Sequence, residues 1–346
     1  MAVTIKDVAK AAGTSTATVS KVLSGSSTIS QATSLRVRRV VKELQYQPNV
    51  RAQSFARQAT HTVFFLMKPE RDIAFVNPHV FEIMLGAQWA LDQKGYSLCL
   101  KGVSEKEACS FVEQAVARKS ADGIILHASV VTKKLAALVT KCGMPHILIG
   151  QPNFESQLCW IDTNNYLSGE IAARHLIDQG NRSIAFIGGK PDDMISWNRL
   201  RGVRTALEEN HIPFPPNHVK QGDSTFSDGQ RMTKLLLKGV NPPQAIICAN
   251  NYIALGCMQA LQEKNIAVPG QMAVMTFDSF PFSTITEPML TVVDINVFDM
   301  GKQAGQWILD KIRKPNLQVQ AYTTLPELIV RASTATPATD TIHTEK

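Results

Sequence analysis

Apolar residues in the first fifty positions recur in short helical stripes. Ile5, Val8, Ala9 and Ala12 form one, and Val19, Val22 and Leu23 a second. Val37, Val40, Val41 and Leu44 form a third, at i, i+3, i+4 and i+7. Thr4 caps the first stripe with Asp7 reaching back, and Gly13 ends it. Ser15 caps the second, Ser24 to Ser27 make a turn, and Ser30 or Gln31 opens the third. Each helix is too short to persist alone in water, so the three must share a core. With a tight glycine turn between the first two, the pattern predicts an all-α helix-turn-helix unit over residues 1–47. Pro48 stops the third helix, and Asn49 can cap a further one over Val50–Gln58. That segment is about two turns long, so it is expected to order only against a partner, and residues 48–60 read as a short helix and linker.

From His61 the texture changes. Continuous apolar runs such as VFFLM (63–67), SLCL (97–100), DGIIL (122–126), HILIG (146–150), SIAFIGG (183–189), AIICAN (245–250), MAVMTFD (272–278) and TVVDI (291–295) alternate with amphipathic helical stretches. Buried strands joined by helices are the mark of parallel sheets covered on both faces. Some eight such units over residues 61–332 exceed one small sheet, so an α/β core of two parallel-sheet lobes is expected. STATPATDTIHTEK (333–346) is polar and aperiodic and reads as a disordered tail.

Charge sharpens this picture. Of 36 basic and 29 acidic residues, nine bases and only two acids fall in residues 1–60, so the whole net charge of +7 lies there. A surplus confined to one small unit fits a polyanionic partner. The six cysteines are scattered, with no CxxC pair and no metal spacing, and read as reduced core thiols. No charged-then-apolar leader and no apolar run of about 18 residues are present, so neither export nor a membrane is expected and the protein is placed in the cytoplasm. GGKPDD (188–193) lacks P-loop spacing, and no GxSxG or HExxH occurs. His127, His146 and His175 have no partner nearby in sequence. No catalytic role, cofactor or metal is therefore expected.

In a helix-turn-helix the second helix lies in the major groove and its first residues meet base edges. Here these are Thr16, Ala17, Ser20 and Lys21. Thr16 and Ser20 can bond either way, Ala17 can pack on a thymine methyl, and Lys21 suits either guanine or a phosphate. TIKDVAKAAGTSTATVSKVLSGS, followed by ELQYQPNVRAQSFAR, resembles the headpiece of the LacI/GalR family of transcription repressors. GEIAARHLIDQGNRSIAFIGG, NRLRGVRTALEE, ANNYIALGCMQAL, VPGQMAVMTFD and EPMLTVV extend the resemblance from Thr4 to about Ser333.

The resemblance implies a periplasmic-binding-protein-like core with a small effector between its lobes. It implies paired hinge helices that enter the minor groove, with a wedge at Phe55 and close approach at Ala52. Phe55 departs from the usual Leu, so it is either that wedge or a hinge-to-core packing residue. Thr4, Ser15, Thr18, Ser30, Tyr46 and Asn49 complete the implied DNA-contact set. For the effector, the resemblance implies Arg199, Asn250 and Asp278, with Asp193 and Ile195 beside them. Relatives place an aromatic ring where this chain has Ser224, and His79 replaces another ring; Trp197 offers stacking instead, and His79 is either a contact or a surface residue. A polar pocket of this kind suits a sugar, sugar acid or sugar phosphate over a purine. The function expected is a repressor of a carbohydrate-utilisation operon. A homodimer would bind a pseudo-palindromic operator, because twofold symmetry calls for twofold sites. A solute-binding protein, an enzyme of carbohydrate metabolism and a sequence-indifferent DNA binder are the rival readings.

Overall fold

The structure, a computed structural model, describes residues 3–23, 25–46, 59–69, 71, 79–279, 282–317 and 321–335. The expected hinge residues Asn49, Ala52 and Phe55 lie outside the described residues. The chain divides at His61 into a small unit and a large one.

The small unit is the three-helix unit expected: α1 (Ile5–Ala11), α2 (Thr16–Leu23) and α3 (Gln31–Glu43). Its core is Val8, Ala9, Ala12, Val19, Val22, Val37 and Val40. The Asp7 carboxylate accepts from both the amide and the hydroxyl of Thr4, at 2.8 and 2.7 Å. Gly13 takes a φ of +58°, a left-handed turn residue that ends α1 without a Cβ clash. Ser15 then caps α2 by accepting from the Thr18 amide at 3.1 Å. Ser30 caps α3 through the Thr33 amide.

The large unit holds two six-stranded sheets. The first contains β1 (Thr62–Met67), β2 (Ser97–Gly102), β3 (Gly123–His127), β4 (His146–Ile149), β5 (Trp160–Thr163) and a late strand, β11 (Ala321–Thr324), in the order 11-5-4-3-1-2, all parallel. The second contains β6 (Ile184–Gly188), β7 (Val219–Gln221), β8 (Ala245–Cys248), β9 (Ala273–Phe277), β10 (Thr291–Asp294) and β12 (Glu327–Ile329), in the order 12-10-9-8-6-7. Only the β10–β12 pair is antiparallel. Helices α4 (His79–Asp92), α5 (Glu105–Ala117), α6 (Lys133–Lys141) and α11 (Val297–Arg313) cover the first sheet. Helices α7 (Asn165–Asp178), α8 (Met194–Glu209), α9 (Phe226–Leu237) and α10 (Asn251–Glu263) cover the second. Alternation along β1 explains the covering: Val63, Phe65 and Met67 enter one core cluster, Phe64 and Leu66 the opposite one.

Three helix pairs cross where glycines face the partner's backbone. Gly86 and Gly301 join α4 to α11, Gly229 and Gly256 join α9 to α10, and Gly169 and Gly202 join α7 to α8. A Cβ on Gly202 would sit 2.0 Å from the Tyr166 carbonyl oxygen, and one on Gly169 equally close to that of Arg199. Gly202→Ala is therefore expected to lower stability by about 1–3 kcal/mol through forced separation of the helices. Thermal and urea unfolding check it, and a parent-like midpoint would show that the crossing yields freely.

Two expectations need correction. Ser333 and Thr334 are not tail: both are buried. The Ser333 hydroxyl donates to the Val274 carbonyl at 2.5 Å, and Thr334 Oγ1 lies 2.7 Å from Thr291 Oγ1. Their hydroxyls complete the polar edge of the second lobe, which composition alone does not reveal. Nor are all the thiols in the core, because Cys142 is exposed beyond the end of α6 and Cys99 is half-buried.

Candidate DNA-reading face and effector cleft

Helix α2 turns Val19 and Val22 inward, which leaves Thr16, Ala17, Ser20 and Lys21 together on its exposed side. They are the side chains a recognition helix would offer to base edges. Ser15, Thr18 and Ser30 also serve as caps or cap partners at the helix starts, and Thr4 is exposed beside α1. Tyr46 is half-buried and packs against the headpiece core.

In the core, the carboxyl ends of both sheets open on one cavity of about 510 Å³. Met67, Lys68, His127, Ala128, Ile149 and Gly150 line it from the first lobe, and Ala249, Asn250 and Asp278 from the second. Ligands gather at such strand ends because loops and helix starts there leave polar groups unpaired. A continuous chamber, also of about 510 Å³, shares Ser129, Asp162, Asn165 and Asp193 with it.

Seven of the eight expected effector residues line the main cavity: His79, Asp193, Ile195, Arg199, Ser224, Asn250 and Asp278. Asp193 caps α8, accepting from the Ile195 and Ser196 amides at 3.1 Å each. Asn250 caps α10 through the Ile253 amide and donates to the Ser224 carbonyl. Trp197 is the exception: it is exposed and lines neither chamber. It stands two residues from Arg199 on one helix, and such positions do not share a face. The ring at the cavity is Tyr252, edge-on to Phe282 at 5.3 Å.

Arg199 is the centre of the site. It is 2% exposed, and its guanidinium stacks 4.2 Å from the Phe277 ring. Nε donates to Asn165 Oδ1 at 3.0 Å and Nη1 to the Ala249 carbonyl at 2.7 Å. Nη2 lies 3.6 Å from Asp278 Oδ1, an ion pair too long for a hydrogen bond. The other Asp278 oxygen is 3.4 Å from His79 Nε2. Burial works to raise the Asp278 carboxyl, but Arg199 and His79 together hold it below the usual carboxylate range. Burial pulls Arg199 below its ordinary value, opposed by Asp278, Asp193 and Asp162. Burial also raises Asp162, although the Gln151 and Thr163 amides both donate to it. Asp278 Oδ1, His79 Nδ1 and the Tyr252 hydroxyl are buried with no hydrogen-bond partner.

Asp162, Asn165, His127, Ser129 and Tyr252 were not foreseen. Asp162 lies in a four-residue strand and His127 at a strand end, where only the sheet order brings them to the cleft. His127 Nδ1 meets Ser129 Oγ at 2.8 Å. His146 and His175 are buried instead, and burial lowers both, His146 to about 4.

The cavity is lined by more apolar than polar surface, so the polar pocket expected is instead a few charged and polar groups in an apolar wall. A basic helix-turn-helix unit in one chain with a two-lobed core, its sheets opening on a shared cavity, defines a two-part transcription regulator. The sequence profile of the bacterial regulatory proteins of the lacI family matches residues 4–49, and that of the periplasmic binding protein-like domain matches residues 173–334. The chain is 30% identical to the transcriptional repressor PurR of Haemophilus influenzae over 336 residues, 95% of this chain and 98% of that one. It is 29% identical to the ribose operon repressor of Escherichia coli K12 over 332 residues, 95% and 99% of the two chains. A CelR–cellobiose complex superposes with a TM-score of 0.71 at 28% identity, covering 96% of this chain and 99% of that one. The Lac repressor dimer bound to operator and the anti-inducer ONPF shares the fold, with a TM-score of 0.80 at 23% identity over 97% and 100%. The chain belongs to the LacI family of bacterial regulatory proteins. It is a DNA-binding transcription repressor and not an enzyme.

Proposed function

We propose that the chain represses a carbohydrate-utilisation operon under control of an uncharged polyhydroxylated effector held between its lobes. The single observation that carries this is the Arg199–Asp278 pair, 3.6 Å apart at the mouths of the strands, with Asp278 Oδ1 lacking a hydrogen-bond partner. A hydroxyl can donate to that oxygen and accept from the guanidinium at once. An ionised carboxylate has no proton to donate, and a phosphate little. Three carboxylates, Asp162, Asp193 and Asp278, also line the cavity against Arg199 and Lys68. The sugar is therefore favoured over the sugar acid and the sugar phosphate. The relatives support the reading: one is a ribose operon repressor, and one structure holds cellobiose. A thermal-shift screen with D-ribose, cellobiose, a sugar acid and a sugar phosphate tests it, since a ligand that binds only the native state raises the melting temperature. A rise with the anions alone would overturn the charge argument.

The effector acts by changing the relation of the two lobes, and through the hinge the affinity for operator, which is linkage between two sites. The chain works in the cytoplasm as a homodimer on a pseudo-palindromic operator. Phe81, Leu85 and Trp89 support the dimer: they recur at helical spacing on α4 and are 42%, 57% and 52% exposed in the single chain. Among the described residues no helix is long and apolar enough to cross a membrane.

Operator reading rests on the exposed α2 residues. Lys21→Ala is expected to weaken operator binding. A loss of about 1–3 kcal/mol confined to one base pair marks a guanine contact, while a uniform loss with a salt slope lower by about one marks a phosphate. Fluorescence anisotropy on operator and random DNA over a salt series checks it. Unchanged binding would remove Lys21 from the interface, and equal affinity of the parent for both DNAs would favour the sequence-indifferent rival.

A further inference from the structure

Asp278 follows β9 in the left-handed region, at a φ of +69°. A non-glycine residue stays there only when its surroundings fix it. Its own amide donates to the Val293 carbonyl at 3.0 Å. The Asn251 side-chain amide donates to the Phe277 and Asp278 carbonyls at 3.0 Å each, and a further restraint reaches Asp278 through Ser279, whose amide donates to Asp294 Oδ1 at 2.8 Å. The Ser279 hydroxyl accepts from Arg331 Nη2 at 2.6 Å. Arg331 Nη1 donates to Ser283 Oγ at 3.0 Å and to the Leu290 carbonyl at 2.8 Å, and Ser283 Oγ donates to the Ser279 carbonyl at 2.5 Å.

One guanidinium thus ties both ends of the segment that leaves the cleft after Asp278 and returns at β10. It is itself anchored. The Arg331 amide donates to Thr291 Oγ1 at 2.9 Å, and the Ser333 amide to the Met289 carbonyl at 3.0 Å. The rigid planar fork of an arginine suits three separated acceptors in a way a lysine ammonium does not.

We infer that Arg331 is a positioning residue of the effector site: by holding Ser279 it aims the Asp278 carboxylate and sets its spacing from Arg199 on α8 and His79 on α4. Its consequence for recognition rests on the effector reading above; its geometry does not. The two cationic or protonatable groups that meet Asp278 are Arg199 and His79, while Asp162 and Asp193 line the same cavity. A loosened carboxylate drifts from its cation and keeps the desolvation that opposes ionisation.

The test needs no effector. The full-length protein carries carbon-13 at the aspartate carboxyls, and Asp278→Asn assigns the resonance. Asp278 of the parent titrates below the usual carboxylate range. In Arg331→Met its midpoint is expected to rise by about one pH unit, a tenfold change in proton affinity. Arg331→Lys returns part of the shift. Ser279→Ala, which removes only the 2.6 Å contact, moves the midpoint in the same direction by less. A strap that merely stabilised the lobe would lower the melting temperature and leave the midpoint where it was. Parent-like midpoints in Arg331→Met and Ser279→Ala would overturn the inference, and if Arg331→Met does not fold, Ser279→Ala decides. Failure of the effector reading would appear as no response to any sugar in the thermal-shift screen and would not alter this titration.

Discussion

Arg199→Met is expected to destabilise the core by about 3–5 kcal/mol at neutral pH, because it leaves a buried carboxylate without its cation. Methionine fills much of the volume beside Phe277, so lost packing is the smaller part. The hydrogen bonds to Asn165 and the Ala249 carbonyl go as well. The pH dependence separates these causes. In the parent, the Asp278 carboxyl is held below its unfolded value. It therefore adds stability above the unfolded value, and this is lost as pH falls through the folded one. In the variant only His79 faces it within ion-pair reach, and burial prevails. Its folded value then lies above the unfolded one, so the ionised form is destabilising and protonation relieves the penalty. The gap between parent and variant should be widest near pH 7 and narrow toward about pH 4. Urea unfolding across that range reads it directly. A gap that stays constant would trace the loss to Asn165 and Ala249 rather than to Asp278.

The headpiece was fully legible because its three apolar stripes and the caps at Thr4, Ser15 and Ser30 are local signals, set within one helical turn. The central strands were legible for a similar reason. Runs such as VFFLM and SIAFIGG are buried on both faces, so they stay apolar throughout. β5, β7, β11 and β12 were not. Each is three or four residues long and half-exposed, and each exists because a neighbour offers a ladder. Their absence from the pattern also hid Asp162, since a residue in an unseen strand cannot be placed at a strand end. Tyr252 and His127 were hidden differently: Tyr252 opens a helix in the lobe that carries Asp278, His127 ends a strand of the other lobe, and only the fold sets the two around one cavity. Trp197 failed where periodicity had the answer. On α8 the face that carries Ile195, Ser196 and Arg199 toward the cavity turns Trp197 outward.

Asp278→Asn is expected to raise the half-saturating effector concentration by about 30-fold or more, the cost of truncating one member of a buried charged pair at a binding site. Asparagine tolerates the left-handed backbone nearly as well as aspartate, so the loss is chemical rather than conformational. Operator affinity of the effector-free variant should match the parent, because the reading residues belong to the headpiece. The variant also leaves Arg199 buried without its carboxylate, and this links the two predictions. When Arg199→Met and Asp278→Asn are combined, the charge left unpaired within this pair is gone, although Asp162 and Asp193 still lose Arg199, and part of the stability lost in either single variant should return. Effector binding should not return, because the hydroxyl then meets neither a guanidinium nor a carboxylate. Stability and recognition therefore separate in the double variant, although each single change damages both. A double variant as unstable as Arg199→Met would mean that Asn165 and the Ala249 carbonyl, and not the charge pair, hold that part of the cleft together. Recovered effector binding would move the recognition site away from Asp278.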